Sequence, residues 1–371
     1  SGRTSVRYLS GQRRAIGMTK RRLIIFGCLV LSGLVGFVGY TVWLAGEFKT
    51  IKPHYAGTCK KIDGVVGAED IVIDHASGIA YLATDDRRAA ISGQPPQGAV
   101  WSYDLNQPDA KPVNLTPDPG FSFHPHGLGL SRGADGLSLM VVNHGSGSGV
   151  FDGAPDTIEV FDANGASLRH TGTIKGDLLR SVNDVQPVGG GKFYASIDPG
   201  NPSGFSRTLE AYLRLPLAKV VYYNGKTVRY VADNIRYSNG VNISPDGQTV
   251  YVAGTTDRVV HVFGRDVASG DLWPKERLKT GTGVDNIDVD DVGALWIGAH
   301  PKLLTFVEHS KDASVKSPSQ VLRIDPGSGE VYEIMMNDGS LLSGSSVAAR
   351  YGNRLLVGPV LDPGFLDCQL P

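Results

Sequence analysis

The sequence predicts an all-β protein, a six-bladed β-propeller, preceded by a single N-terminal transmembrane helix. Three observations carry this. A phrase in which a polar residue leads into two short apolar strands recurs six times after residue 68. Glycine (48) and proline (21) are abundant among the 371 residues, and no long amphipathic helical period dominates beyond residue 50, as in a turn-rich β protein. One uncharged stretch near the N-terminus is long enough to cross a bilayer.

Taken in order, residues 1–22 are a basic N-terminal tail. Residues 1–46 carry Arg3, Arg7, Arg13, Arg14, Lys20, Arg21 and Arg22 and no acid. The tail reads as a cytoplasmic segment, as a transit-peptide remnant or, since Met18 is a candidate start, as a non-native leader over residues 1–17. Residues 23–45, LIIFGCLVLSGLVGFVGYTVWLA, contain no charge and form the expected transmembrane helix. A buried core helix is the alternative, which the length and the basic flank disfavour. Bases on the N-terminal side alone place that end in the cytoplasm or matrix. The propeller then lies on the lumenal, extracellular or intermembrane-space side. Tyr40 and Trp43 suit an interfacial anchor, and the stretch lacks a small-residue cleavage site, which favours a retained single-pass anchor over a removed signal.

Residues 46–58 are a linker, and residues 59–371 are the propeller. Subtracting the seven N-terminal bases from 36 leaves 29 against 37 acids, a charge of −8. Nucleic acid is therefore not an expected partner. Cys28 lies in the apolar span. Cys59 and Cys368 bracket the globular part, and either they pair in an oxidising compartment or they are two free thiols.

The repeated phrase begins at Glu69, His126, Asn183, Asn239, Asp285 and Ser345, in steps of 46 to 60 residues. Its clearest copy is Asn239–Thr255, NGVNISPDGQTVYVAGT, an alternating strand, a Pro245-Asp246-Gly247 turn and a second apolar strand. Six such units predict radial repetition, four strands to a blade. A β-sandwich with long loops does not explain the repeat. A Cys59–Cys368 bond would sit where the ring must close.

If each phrase is an innermost hairpin, its leading residue points at the central channel, with Asp70, Asp184 and Asn286 beside the leaders. An all-oxygen set of this kind suits a hard cation, and Ca²⁺ fits the ligand number best. No zinc-type spacing and no HExxH motif competes. The competing explanation for these Asx residues is strand capping, and for the histidines it is satisfied structural packing.

These phrases resemble the paraoxonase/arylesterase family of calcium-dependent lactonases, from Cys59 to Cys368. The motifs that carry the resemblance are GAEDIVI, FHPHGL, VVNH, LRSVNDVQPV, VVYYNGKTVRYVADNIRYSNGVNISPDG, VDNIDVD and LWIGAHP. The resemblance implies a catalytic calcium held by Glu69, Asn183, Asn239, Asp285 and Asn286. It implies a second, structural calcium held by Asp70, Asp184 and the backbone carbonyl of Leu128. It further implies a water-activating pair, His126 and His144, and a disulfide between Cys59 and Cys368. Ser345 matches no ligand, and neither His124 nor His300 receives a role beyond His300 lining the pocket mouth. The expected substrates are small lactones and aryl esters.

There are departures. Asp86 to Gly98 replaces a family loop that covers the pocket, with no matching aromatic. Pro199-Gly200-Asn201 stands where many relatives carry a histidine. GSGSG at Gly145–Gly149 is out of phase with a nucleophile elbow and reads as a flexible loop. Asn114-Leu115-Thr116 is a glycosylation sequon, whereas Asn242-Ile243-Ser244 sits within a strand. The rival class is a non-catalytic, membrane-anchored scaffold or complex subunit that keeps calcium for folding alone. A strictosidine-synthase-like or gluconolactonase-like relative would share the fold, but the first lacks the full ligand set and the second differs in its blade motifs.

Overall fold

The hairpin at Asn239 shows how each blade is built. Strand Ser238–Ile243 pairs antiparallel with Thr249–Gly254, Val241 opposite Val252 and Ile243 opposite Val250. The turn works because Gly247 adopts a left-handed φ of 70° and Asp246 accepts from both Ser244 Oγ and the Gln248 amide. Strands Val259–Arg265 and Leu272–Lys279 complete the sheet.

Six such sheets form a six-bladed propeller in this computed structural model, which describes residues 5–371 apart from 94–95, 134–135, 146–154 and 202–203. Most of the expected Gly145–Gly149 loop thus lies outside the described residues. The inner strands are Ala68–Asp74, Pro125–Gly133, Val182–Pro187, Ser238–Ile243, Gly283–Val289 and Ser345–Tyr351. Each packs against the next, and the sixth returns to the first. The fifth blade gains a short outer strand, His54–Tyr55.

The ring closes by chain exchange. Thr58–Val66, from the N-terminal side, pairs with Pro363–Gln369 as the outermost strand of the sixth blade. Cys59 lies directly opposite Cys368 in that pairing, and the two form a disulfide spanning 309 residues. The core is divided rather than single. Six buried apolar clusters fill the six blade interfaces; Ile71, Leu82, Val347, Leu356 and Phe365, for example, join the first blade to the sixth.

One irregularity is common to all six inner hairpins. The register slips at the start of each inner strand: between Ala68 and Asp70, Pro125 and Leu128, Val182 and Val185, Ser238 and Val241, Val284 and Ile287, and Ser345 and Val347. The skipped positions include the polar leaders of the first five phrases. Bulges re-aim side chains that regular alternation would send to opposite faces. That is how neighbours such as Asp285 and Asn286 both serve the channel. Close approach of adjacent strands accompanies it. A Cβ on Gly127 would come within 2.4 Å of Asp184 Cα, and one on Gly240 within 2.7 Å of Asn286 Cα.

Inner strands run away from this end of the ring and second strands return to it, so the connections leaving the second strands lie over the channel mouth. Three of them carry short helices, Arg87–Ile91, Gly204–Leu213 and Leu303–Lys311. The N-terminal helix, continuous over Ser5–Leu44, ends here too. The Ala45 carbonyl accepts from the Leu303 amide at 2.9 Å, and Glu47 caps the Leu303–Lys311 helix through the Leu304 amide and Thr305 hydroxyl. Its Lys20–Leu44 portion is long and apolar enough to cross a membrane, and its apolar stretch is not buried against the rest of the protein.

Candidate active site

The bulged leaders converge at the channel mouth, and the direction of their amides is the informative feature. Asn286 donates Nδ2 to the Glu69 carbonyl and to Glu69 Oε1, Asn183 donates Nδ2 to Asp198 Oδ2 at 3.0 Å, and the Asn239 side chain bonds Asp285. With each NH₂ committed, each amide oxygen is left over. Among the described residues, five buried oxygens of these leaders and of Asn286 have no hydrogen-bond partner: Glu69 Oε2, Asn183 Oδ1, Asn239 Oδ1, Asp285 Oδ1 and Asn286 Oδ1. A buried acceptor without a donor costs about 1–3 kcal/mol. Five together in a closed site form a cradle for an oxygen-loving cation. Among the described residues no group of three His, Cys, Asp or Glu side chains is placed to hold a metal; three of these five donors are asparagines.

Below them lie Asp70 and Asp184, both buried. Asp70 accepts from the Leu128 and Ile71 amides, and Asp184 from those of Val241 and Val185. Burial, joined by the Asp184 and Glu69 charges, raises the Asp70 carboxyl well above its ordinary value; burial likewise lifts Asp184 to about 7. Among the described residues neither carboxylate has an ion pair, and a second cation would offset two such adjacent charges. The Leu128 peptide lies against this pair through its N–H.

His126 and His144 meet at 2.8 Å, Nδ1 to Nε2, with ring planes 74° apart. His126 Nε2 lies 3.4 Å from Glu69 Oε1, at the edge of the oxygen cluster. Burial lowers the proton affinity of His126 and keeps it neutral. His144 is raised instead: burial opposes its charge, but Asp156 Oδ1, 2.7 Å from Nδ1, outweighs it. His300 Nε2 bonds Asp285 Oδ2 at 2.7 Å and stacks on Phe306 of the Leu303–Lys311 helix. Against burial, which dominates, His300 limits the rise of Asp285 to about 6.

Other residues fall outside the cluster. Ser345 bonds the Ala299 and Gln320 carbonyls, and its neighbour Ser346 is the one that reaches the Glu69 carbonyl, at 2.6 Å. His124 faces Asp85 at 3.3 Å. Asn242 spends its Nδ2 on the Ile287 carbonyl, and Asn114 accepts from the Thr116 amide. The amides of Gly200 and Asn201 bond Glu210 of the Gly204–Leu213 helix.

Three residues here were not candidates on sequence alone. Asp156 precedes the third strand of its blade, outside the repeated phrase. Asp198, pushed to about 7 mainly by burial, orients Asn183. Arg87 opens the Arg87–Ile91 helix; buried and without an ion pair among the described residues, it donates to the carbonyls of Gly67, Val360 and Pro125. A positional signal existed for three of the site's residues. The residue ending or just following the second strand is His144, Asp198 or His300 in blades two, three and five, a second polar ring behind the first.

Fold and site together define a six-bladed propeller with a polar, oxygen-lined channel mouth. Residues 47–370 match the family model described as arylesterase. Serum paraoxonase/arylesterase 2 from Rattus norvegicus is 36% identical over 328 residues, 84% of this chain and 88% of the relative. Serum paraoxonase/arylesterase 1 from Homo sapiens is 32% identical over 336 residues, 87% and 91%. The chain belongs to the paraoxonase/arylesterase family and is an ester-hydrolysing enzyme. Among solved structures, a luciferin-regenerating enzyme superposes with a TM-score of 0.54 at 15% identity, covering 85% of this chain and 96% of the other. Regucalcin from Agrobacterium tumefaciens does so at 0.50 and 17%, covering 85% and 96%. These two share the fold.

Proposed function

We propose that the channel mouth is the active site of a calcium-dependent hydrolase of lactones and aryl esters. The observation that carries this is the set of five orphaned oxygens with His126 Nε2 at its edge. Glu69, Asn183, Asn239, Asp285 and Asn286 would hold the catalytic calcium, and Asp70, Asp184 and the backbone carbonyl of Leu128 the structural one. The Agrobacterium structure is titled a calcium-binding protein, which agrees with that choice of ion. When bound, calcium polarises the ester carbonyl and offsets the charge that develops on its oxygen.

The chain's own residues do the rest. His126, kept neutral by burial, takes the proton of the attacking water at Nε2. Its Nδ1 proton passes to His144 Nε2, 2.8 Å away. Asp198 and His300 hold Asn183 and Asp285 in orientation, a supporting role typical of groups behind metal ligands. Both histidines are buried, which limits the bulk solvent competing for their mutual bond.

The N-terminal helix serves in this proposal as a single-pass anchor, with the basic end on the cytoplasmic or matrix side and the propeller across the membrane. Because it ends on the channel-mouth side, the site would face the bilayer, where apolar esters and lactones concentrate. Comparing turnover of a lactone and aryl-ester panel by the wild type, Glu69→Gln and His126→Gln tests the proposal. Both variants should lose at least about 100-fold. Wild-type turnover in both would remove the channel from the chemistry and leave a scaffold.

A further inference from the structure

The channel-mouth histidines can each carry the proton on either ring nitrogen, and only one arrangement makes a base. We infer that Asp156 is the residue that sets this arrangement, acting through His144. The inference rests on the proposed role of the His126–His144 pair.

The geometry is directional. Asp156 Oδ1 lies 2.7 Å from His144 Nδ1, His144 Nε2 lies 2.8 Å from His126 Nδ1, and His126 Nε2 faces the oxygen cluster. A carboxylate can only accept, so His144 Nδ1 carries the hydrogen. Neutral His144 then presents a lone pair at Nε2, which fixes the hydrogen of His126 on Nδ1. That leaves the lone pair of His126 at Nε2, the nitrogen facing the site; Glu69 Oε1 lies 3.4 Å from it, a contact between two acceptors that an ion held by Glu69 would relieve. The opposite tautomer of His144 would turn a lone pair toward Asp156 and an N–H toward His126, leaving His126 protonated on the wrong nitrogen.

Asp156 is itself held. Its Oδ2 accepts from the Val182 amide at 2.7 Å and its own amide donates to the Leu179 carbonyl at 2.8 Å, so the carboxylate spans from the second blade to the third. All three side chains are buried, which shields the chain of bonds from competing water. During turnover the water O–H bond breaks and its proton goes to His126 Nε2 as the oxygen bonds the acyl carbon. The Nδ1 proton moves to His144 Nε2, leaving an imidazolium beside Asp156. The proton returns along the same path to the departing alkoxide, so none is gained or lost over the cycle. The raised proton affinity of His144 supports this order.

A purely structural role is the rival, because Val182 adjoins Asn183. A double-mutant cycle on the full chain separates the two. We expect Asp156→Asn to lower kcat about 100-fold with KM, calcium affinity by titration calorimetry and Tm little changed. In a His144→Gln background the same substitution should change kcat less than about twofold, since its effect runs through His144. An equal loss in both backgrounds, or no loss in the first, overturns the inference. If Asp156→Asn does not fold, ¹⁵N NMR of the wild-type imidazoles decides: His144 should be the Nδ1–H tautomer, and Nε2–H overturns it. Full activity of His126→Gln would instead refute the proposed function itself.

Discussion

Asn286, on the fifth blade, turns its amide nitrogen onto Glu69 of the first, 2.9 Å from Oε1 and 3.0 Å from the backbone carbonyl. The bond reaches past the sixth blade and leaves both Asn286 Oδ1 and Glu69 Oε2 without donors. Asn286→Ala should therefore weaken calcium binding in two ways, by removing one ligand and by releasing another. We expect at least a 10-fold loss of calcium affinity by titration calorimetry, the scale seen when groups supporting metal ligands are removed. Affinity within twofold of the wild type would place the ion elsewhere.

The Asp70–Asp184 pair predicts a pH effect specific to the calcium-free protein. The Asp184 carboxyl sits at about 7 in the folded state, against about 3.9 when unfolded. Between those values the unfolded chain has released a proton that the native one keeps, so stability falls as pH rises, by about 1.4 kcal/mol per pH unit for each such group. Asp70 shifts in the same direction. Stability is greatest below about pH 4 for this contribution and is lost by about pH 7. Thermal unfolding with chelator should show Tm dropping from pH 5 to 7.5. Saturating calcium should flatten that drop. Parallel profiles with and without calcium would argue against an ion between the two carboxylates.

Arg87 joins the first, second and sixth blades through the carbonyls of Gly67, Pro125 and Val360, next to Glu69 and His126. Removing it should strip the Pro125 and Val360 carbonyls of its donors, while Gly67 keeps the Glu69 amide, and loosen both strands. Arg87→Ala is expected to destabilise by about 2–4 kcal/mol, on the scale of hydrogen bonds to a charged group. Chemical denaturation reads this directly. Lysine should not rescue, because a single ammonium cannot reproduce the planar fork.

The disulfide acts on the ring rather than on the site. Replacing Cys59 and Cys368 with alanine frees the strand exchange that closes the sixth blade. A loss of about 2–4 kcal/mol is expected in denaturant unfolding, with calcium affinity preserved at temperatures where the ring stays shut. Loss of calcium binding without loss of stability would contradict this division.

Much of the architecture was legible because a propeller writes its period into the chain. Six polar leaders such as Asn239 and Asp285 recur before alternating apolar strands, and these fall at the six inner strands. What alternation alone does not reveal is that Asp285 and Asn286 both serve the channel, since adjacent strand residues ordinarily face opposite ways. The bulges that make this happen are pairing features, visible only with the partner strand in place. Asp156 was hidden for a related reason. It precedes a third strand, outside the repeat, and gains meaning only when the second blade packs against the third. Arg87 lies outside the repeated phrase, and its bonds to the carbonyls of Gly67, Pro125 and Val360 exist only once three blades are in place.

The central claim is that hydrolysis depends on an ion held by the five orphaned oxygens. The direct measurement is lactone and aryl-ester turnover during calcium removal by chelator and stepwise return, with bound calcium measured in parallel. Activity should vanish as the five-oxygen site empties and recover in proportion to calcium rebound. Full turnover by protein stripped of calcium would contradict the account.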